Sequence, residues 1–320
     1  MLEYYKQRSK DAGLIITEAT DILPISIGYP CTPGIYTDEQ VEKWKPIVQE
    51  IERQGSHVFL QLWHQGRTAK KDLIPGNLTP VGPSSVEFID GMGNKAPAPR
   101  ALETAEVKET VEAYRKAAEN AKKAGFSGVE IHGANGYLVT QFLCDGSNKR
   151  TDEYGGSIEN RTRFLLEVAQ ACIDVFGEGK VGVRISPSSH WQDIQDSDPI
   201  ALYTYVAKAL NKLNLAYLHV VEPRDTGYGA TTDPIDSQLT AAFIRKAGFE
   251  GKILSAGGHN GESGEDYIKN NKADAIVYGR WYISNPDLSV RFAKGAALNP
   301  YDRSTFYGGG EKGYTDYPTL

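Results

Sequence analysis

The sequence predicts an α/β fold, a barrel of parallel strands wrapped by helices, and three observations carry that prediction. Short apolar runs rich in branched residues recur along the chain, amphipathic stretches separate most of them, and polar residues stand at the C-terminal ends of several runs. Alternating β and α units imply a parallel sheet covered by helices. In a closed barrel every βα loop converges on one face, whereas an open sheet gathers its ligand loops near one switch point. The spread of polar strand ends along this chain favours the barrel.

In order, the runs are Gly13-Leu14-Ile15-Ile16-Thr17-Glu18, Val58-Phe59-Leu60-Gln61-Leu62-Trp63, Gly128-Val129-Glu130-Ile131-His132, Val181-Gly182-Val183-Arg184-Ile185, Tyr217-Leu218-His219-Val220-Val221, Ile253-Leu254-Ser255-Ala256-Gly257-Gly258 and Ala275-Ile276-Val277-Tyr278-Gly279-Arg280. Their brevity suits strands buried on both faces. Seven are readable, one fewer than a (β/α)8 TIM barrel has. Between them, Val107, Val111, Tyr114, Ala118 and Ala121 fall on one helical stripe, and Ala124-Gly125-Phe126 turns the chain into the next strand. The segments Asp198 to Leu213 and Ser237 to Gly248 repeat this order. The longest connections are Gly66 to Thr104 and Cys144 to Ile158. Rich in Pro and Gly, the first predicts a hairpin or an excursion over the active face, and Lys70 to Arg100 is expected to shape substrate choice.

The 320 residues read as one domain over 1–320, since an α/β barrel uses about 200–250 residues as a unit. Thirty-five basic against 41 acidic residues give a net charge of −6, which argues against a nucleic-acid-binding surface and leaves room for one local phosphate pocket. Cys31, Cys144 and Cys172 form no CxxC pair, so neither a disulfide framework nor a zinc ribbon is indicated, and a reducing compartment fits. The first eight residues carry no apolar stretch, and no run approaches the ~18 apolar residues of a membrane span. A cytoplasmic protein with no membrane partner is expected.

Chemistry concentrates at strand ends. In Ile131-His132-Gly133-Ala134-Asn135-Gly136-Tyr137-Leu138 an imidazole and an amide three residues apart can both donate to one ligand oxygen, with the Tyr137 hydroxyl as a nearby proton source. The same residues would also make an Asn-Gly turn over a satisfied core histidine. Ser255-Ala256-Gly257-Gly258 and Tyr278-Gly279-Arg280 end two consecutive strands, the position where barrels bind phosphate. There glycine amides approach the oxygens and an arginine clamps them. Arg184 interrupts an apolar strand and needs an anion, or a structural ion pair. Gln61 and Trp63 share one strand face, suiting Gln61 to recognise the amide edge of a ring or to satisfy a core polar group.

Other chemistries fit poorly. Gly308 to Gly313 has the GxGxxG spacing but follows no strand and opens no helix. Among the carboxylates between Asp152 and Glu159, Ser157 reads as a helix N-cap rather than the segment as an acid–base pair. Lys180 and Lys252 precede their strands, against a Schiff-base lysine, and the six histidines show no metal-ligand pairing.

On these residues the chain resembles the Old Yellow Enzyme family of flavin-dependent ene-reductases, on the branch of the 12-oxophytodienoate reductases. The likeness runs from Glu3-Tyr4-Tyr5 to Gly313-Tyr314-Thr315-Asp316-Tyr317-Pro318. It takes in Gln61-Leu62-Trp63-His64, the His132 to Tyr137 segment, Arg150-Thr151-Asp152-Glu153-Tyr154-Gly155-Gly156-Ser157 and Asn285-Pro286-Asp287-Leu288. It implies FMN as cofactor, NADPH or NADH as reductant, and small α,β-unsaturated carbonyl compounds as substrates. By position, His132 and Asn135 would polarise the substrate carbonyl and Tyr137 would protonate the α-carbon. Gln61 and Arg184 would hold the flavin pyrimidine edge, and Gly257, Gly258, Gly279 and Arg280 the FMN phosphate. Trp63 and Tyr307 would line the substrate pocket. The family's first strand, with an Ala-Pro-Met-Thr-Arg-like stretch, precedes the Tyr-Tyr segment, so the resemblance implies seven of the eight strands here. Two expectations follow: a working ene-reductase, or an impaired barrel that does not hold FMN stably.

Overall fold

The computed structural model describes residues 1–223 and 238–320, so Ser237, at the start of one expected helical segment, lies outside the described residues. Seven parallel strands form the sheet: β1 (Leu14–Ile16), β2 (His57–Trp63), β3 (Gly128–Gly133), β4 (Val181–Ile185), β5 (Tyr217–Val221), β6 (Ile253–Ala256) and β7 (Ala275–Val277). They pair in chain order, and a two-residue strand at Thr20–Asp21 adds to β2. The seven runs of the sequence are these seven strands.

The sheet is curled. The rings of Phe59 on β2 and Tyr217 on β5 meet at 5.6 Å although two strands separate them in the sheet. With Leu254 they form a small apolar floor inside the curl. Alternate residues point outward, so Val58, Leu60, Leu62, Val129, Ile131, Val183, Leu218 and Val220 are buried in the large outer core under the helices. Residues that share an interior level are set by register: Gln61 aligns with Glu130, and His132 aligns with Arg184, which aligns with His219.

Each major helix begins and ends where its sequence directs. Helix α1 (Leu2–Arg8) precedes the first strand. The next, α2 (Asp38–Arg53), opens on a capping box between Thr37 and Gln40 and buries Val41, Trp44, Ile47, Val48 and Ile51. In α3 (Thr104–Ala124) the buried stripe includes Val107, Val111, Tyr114, Ala118 and Ala121, and Gly125 ends it at φ +98°. After the short α4 (Leu138–Leu143), Ser157 caps α5 (Ile158–Phe176), accepting from the Asn160 amide. Asp198 caps α6 (Pro199–Leu210) and Thr240 caps α7 (Ala241–Lys246). Three more follow: α8 (Gly261–Lys269), α9 (Arg280–Ser284) and α10 (Leu288–Lys294). Gly308 to Gly313 joins no strand to a helix.

The Gly66–Thr104 connection holds the expected hairpin, Phe88–Ile89 paired antiparallel with Lys95–Ala96. Arg67 fastens it to the loop after β4. Its guanidinium donates to the Gln192 and Asp193 carbonyls at 2.8 and 3.0 Å and lies 4.4 Å from the centre of the Phe88 ring. Gly91 seats against Trp191, so closely that a Cβ there would lie 2.1 Å from the indole.

Among the described residues, β1 and β7 each pair on one side only. Near this side, Arg8 joins α1 to the far end of the chain. It is 2% exposed and donates to the carbonyls of Tyr282 (3.0 Å), Ile283 (2.5 Å), Tyr314 (3.0 Å) and Tyr4 (3.0 Å). The Tyr282 hydroxyl donates back to the Arg8 carbonyl. Two of those carbonyls belong to the last turn of α9, which lacks partners within its own helix. Arg8→Met should keep the bulk but strand these acceptors, lowering stability by about 3 kcal/mol. Urea unfolding measures this; an unchanged midpoint and slope would show that the carbonyls are satisfied otherwise.

Candidate functional site

The interior of the curl is layered. Above the apolar floor come Gln61 and Glu130, then His132, Arg184 and His219, then Trp63 at the end of β2. All these groups except Arg184 are buried.

After β3 the chain makes a sharp turn. Asn135 (φ +55°) and Gly136 (φ +78°) are both left-handed, a conformation that Asn tolerates and Gly favours. A Cβ at Gly136 would also lie 2.6 Å from the Trp191 carbonyl oxygen. The Asn135 amide donates to Ser186 Oγ at 2.7 Å, and Gln141 Nε2 donates to the Gly136 carbonyl at 2.8 Å. This turn returns Tyr137 to His132, their rings edge to face at 4.9 Å. Trp63 completes the cluster, 4.9 Å from Tyr137 and 6.1 Å from His132, and Tyr29 stacks on Trp63 at 6.0 Å.

The protonation of this cluster follows from its surroundings. Burial, reinforced by Arg184 and His219, pushes the His132 pKa well below its ordinary value, so the ring is neutral. The Ala134 amide donates to His132 Nδ1 at 3.3 Å, which puts the ring proton on Nε2 as a free donor. Burial, with the Tyr29 hydroxyl alongside, raises the Tyr137 pKa well above its usual range and keeps its proton in place. A neutral donor and a protonated phenol thus stand side by side.

Next to them lies a cavity of about 270 Å³ lined by Arg184, His219, Gly257, Gly258, Gly279 and Arg280, with Tyr307 at its rim. The site residues expected from sequence therefore divide into two adjoining groups: the ring cluster with Asn135 beside it, and the cavity wall. Gln61 stands in the layer below, its Nε2 donating to Glu130 at 2.6 Å. Tyr307 is 83% exposed, so its wall is open to solvent while Trp63, at 5%, is closed in.

The cavity suits a group with an electron-rich edge and a phosphate. At one end, Arg184 Nε and His219 Nε2 are buried without protein partners, and a buried guanidinium N–H needs an acceptor. At the other, Gly257 (φ +112°) and Gly258 (φ +72°) turn left-handed, and no atom lies within 4 Å of a Cβ built at Gly279. Backbone amides can approach an anion there, with Arg280 beside them. Glu222 braces this end, accepting from Ser255 Oγ at 2.8 Å and the Ala241 amide at 3.1 Å.

Sequence reasoning missed Tyr29, Glu130, Ser186 and His219. Glu130 carried a signal, since it alternates with His132 on one strand and must share its face. So did His219, inside an apolar run. Tyr29, in a Pro-rich loop, and Ser186 offered none.

The model of the NADH:flavin oxidoreductase / NADH oxidase family matches residues 1–299. The chain is 46% identical over 320 residues to 12-oxophytodienoate reductase 1 of Oryza sativa subsp. japonica, covering 99% of this chain and 83% of that protein. It is 42% identical over 324 residues to 12-oxophytodienoate reductase 2 of Arabidopsis thaliana, covering 99% and 86%. Among solved structures, morphinone reductase superposes with a TM-score of 0.91 at 44% identity, covering all of this chain and 87% of that one. The old yellow enzyme homologue from Zymomonas mobilis does so with 0.92 at 39%, covering 100% and 89%. The curled sheet with its helices matches the (β/α)8 barrel of these relatives, with seven of the barrel strands among the described residues. The expectation of an impaired barrel finds no support among them.

The loop that carries Tyr29 hangs on one buried carboxyl. Asp21, 1% exposed, accepts from Ser26 Oγ at 2.8 Å and Thr32 Oγ1 at 2.6 Å. Burial raises its pKa to about 6, although hydrogen bonds from Thr32, Ser26 and Gln65 pull it down. Between the unfolded value and about 6, the folded state binds more protons than the unfolded state. This stability is therefore complete below the unfolded pKa and is lost as pH rises through about 6. Asp21→Asn removes the titration. Its unfolding free energy relative to the unmodified protein should rise by about 2 kcal/mol from about pH 4 to about pH 7. A pH-independent difference would show that Asp21 ionises normally.

Proposed function

Because the chain belongs to the NADH:flavin oxidoreductase / NADH oxidase family, the family of the Old Yellow Enzymes, we propose that it reduces the carbon–carbon double bond of α,β-unsaturated carbonyl compounds. FMN is its cofactor and NADPH or NADH its reductant. One observation supports the finer reading above others: a neutral His132 with its Nε2–H free, in contact with a protonated Tyr137, beside a cavity with an unpaired Arg184 Nε–H.

In this reading Gln61 and Arg184 hold the pyrimidine edge of FMN, while Gly257, Gly258, Gly279 and Arg280 hold its phosphate. When bound, FMN would supply hydride transfer, with NAD(P)H as the source of the electrons. His132 Nε2–H and the Asn135 side-chain amide donate to the substrate carbonyl oxygen, drawing electron density from the β-carbon and stabilising the charge that grows on oxygen. Each such donor is worth about 3–4 kcal/mol in a site of this kind. Tyr137 supplies the proton for the α-carbon, a contribution of about 10²–10⁴ in rate. Burial holds that proton on the phenol until the carbon beside it becomes basic. Trp63 and Tyr307 line the substrate side, and Tyr29, stacked on Trp63, helps exclude water.

The partner is thus a small molecule rather than nucleic acid, in keeping with the net charge of −6. No helix among the described residues is long and apolar enough to cross a membrane. The proposal takes residues 1–320 as one FMN-binding unit. It places the protein in the cytoplasm, where free Cys31, Cys144 and Cys172 stay thiols.

The double variant His132→Ala, Asn135→Ala should stay yellow and release stoichiometric FMN on denaturation, yet bind a phenol about a hundredfold more weakly or worse. Loss of flavin with unchanged phenol affinity would move the carbonyl site elsewhere. Tyr137→Phe should bind the same phenol normally and lose about 100-fold or more in the rate of enone reduction. A Tyr137→Phe rate equal to that of the unmodified enzyme would remove the phenol from the proton path.

A further inference from the structure

One level below Arg184 and His132, the barrel holds a carboxylate to which the reading above gives no task. Glu130 is fully buried on β3, level with Gln61 on β2. One of its oxygens accepts from Gln61 Nε2 at 2.6 Å, and the other lies 2.9 Å from His219 Nδ1. Burial pushes its carboxyl up, but the His219 ring, Arg184 and the Gln61 hydrogen bond outweigh burial and hold it below the usual carboxylate range. The group is an anion in the centre of the fold. A buried ion of this kind stabilises a fold little, since well-packed apolar residues generally do as well. Its geometry has two other consequences.

The first concerns Gln61. Its amide nitrogen is committed to Glu130, so its oxygen faces away from the carboxylate as a hydrogen-bond acceptor. The second concerns His219. With the Nδ1 proton directed at Glu130, the neutral ring leaves Nε2 bare, and this atom has no protein partner beside the cavity that His219 lines. One carboxylate therefore decides which way an amide and an imidazole present themselves.

We propose that Glu130 is a positioning residue for the flavin: it fixes the Gln61 amide and the His219 tautomer toward the pyrimidine edge, and its charge offsets that of Arg184 so as to lower the reduction potential of bound FMN. This rests on the reading that Gln61 and Arg184 hold that edge.

Glu130→Gln in the FMN-loaded protein tests it. The shape is kept, the anion is lost, and the new amide lets Gln61 reverse. We expect FMN to bind about tenfold more weakly, a loss of about 1.4 kcal/mol. We also expect a more positive midpoint potential, with reduced FMN favoured over oxidised FMN by about tenfold more than in the unmodified protein. Glu130→Asp keeps the charge and shortens the reach, so it should weaken FMN binding and leave the potential in place. A merely structural role predicts no potential shift in E130Q, or the same shift in both variants, and either result overturns the proposal. If E130Q does not fold, E130D decides alone: weakened FMN binding with the potential in place supports the proposal, and a shifted potential or unchanged FMN affinity overturns it. Gln61→Leu separates this idea from its premise. Normal FMN affinity in Q61L would overturn the placement of the pyrimidine edge together with the proposal. Weakened affinity in Q61L beside a silent E130Q would overturn the proposal alone.

Discussion

The two-residue period of β3, held in register between β2 and β4, is the constraint on which the rest of this structure depends. Its inward residues are Gly128, Glu130 and His132, and a slip of one residue would turn all three outward and bring Val129 and Ile131 inside. Such a slip is strongly opposed, because Val129 and Ile131 are fully buried in the outer core. The apolar outer face therefore positions the polar inner face. Floor, carboxylate level and histidine level are stacked by the same ladder that packs the helices outside.

Above that ladder, local conformation takes over. The β3 strand delivers His132, but only the left-handed pair Asn135-Gly136 can return Tyr137 to the same place within five residues. The Ser186 hydroxyl and the Gln141 side chain hold this turn from neighbouring segments, which balances the cost of a left-handed Asn. Rigidity at the His132–Tyr137 ring cluster thus arises from a left-handed turn clamped on two sides, and the strand below needs no strain of its own.

Much of this was legible in the sequence. Seven apolar runs became seven strands, the α3 stripe and Ser157 cap fell where patterning put them, and the Pro/Gly-rich connection formed its hairpin. Strand-end motifs were readable because a barrel sends every such end to one face, so His132 and Gly257 needed no contact map to be placed near one another. Partnerships across the interior were not readable. Glu130 meets His219, 89 positions away, through the curl of the sheet, and no local period encodes that curl. Tyr29 reaches Trp63 through a loop held by Asp21, a through-space dependence with no sequence spacing. Tyr307 lies at the rim of the cavity of Gly257 and Arg280, and its exposure depends on tail geometry that residue identity does not reveal.

The Arg67 clasp couples segments that the chain keeps about a hundred residues apart. Because one guanidinium donates to the Gln192 and Asp193 carbonyls while lying over Phe88, the hairpin and the loop after β4 behave as one jaw. Moving either segment away from the other requires releasing both carbonyls at once, so the two shift together or not at all. Lengthening either segment alone would also move the other out of alignment, so a change in one length calls for a matching change in the other.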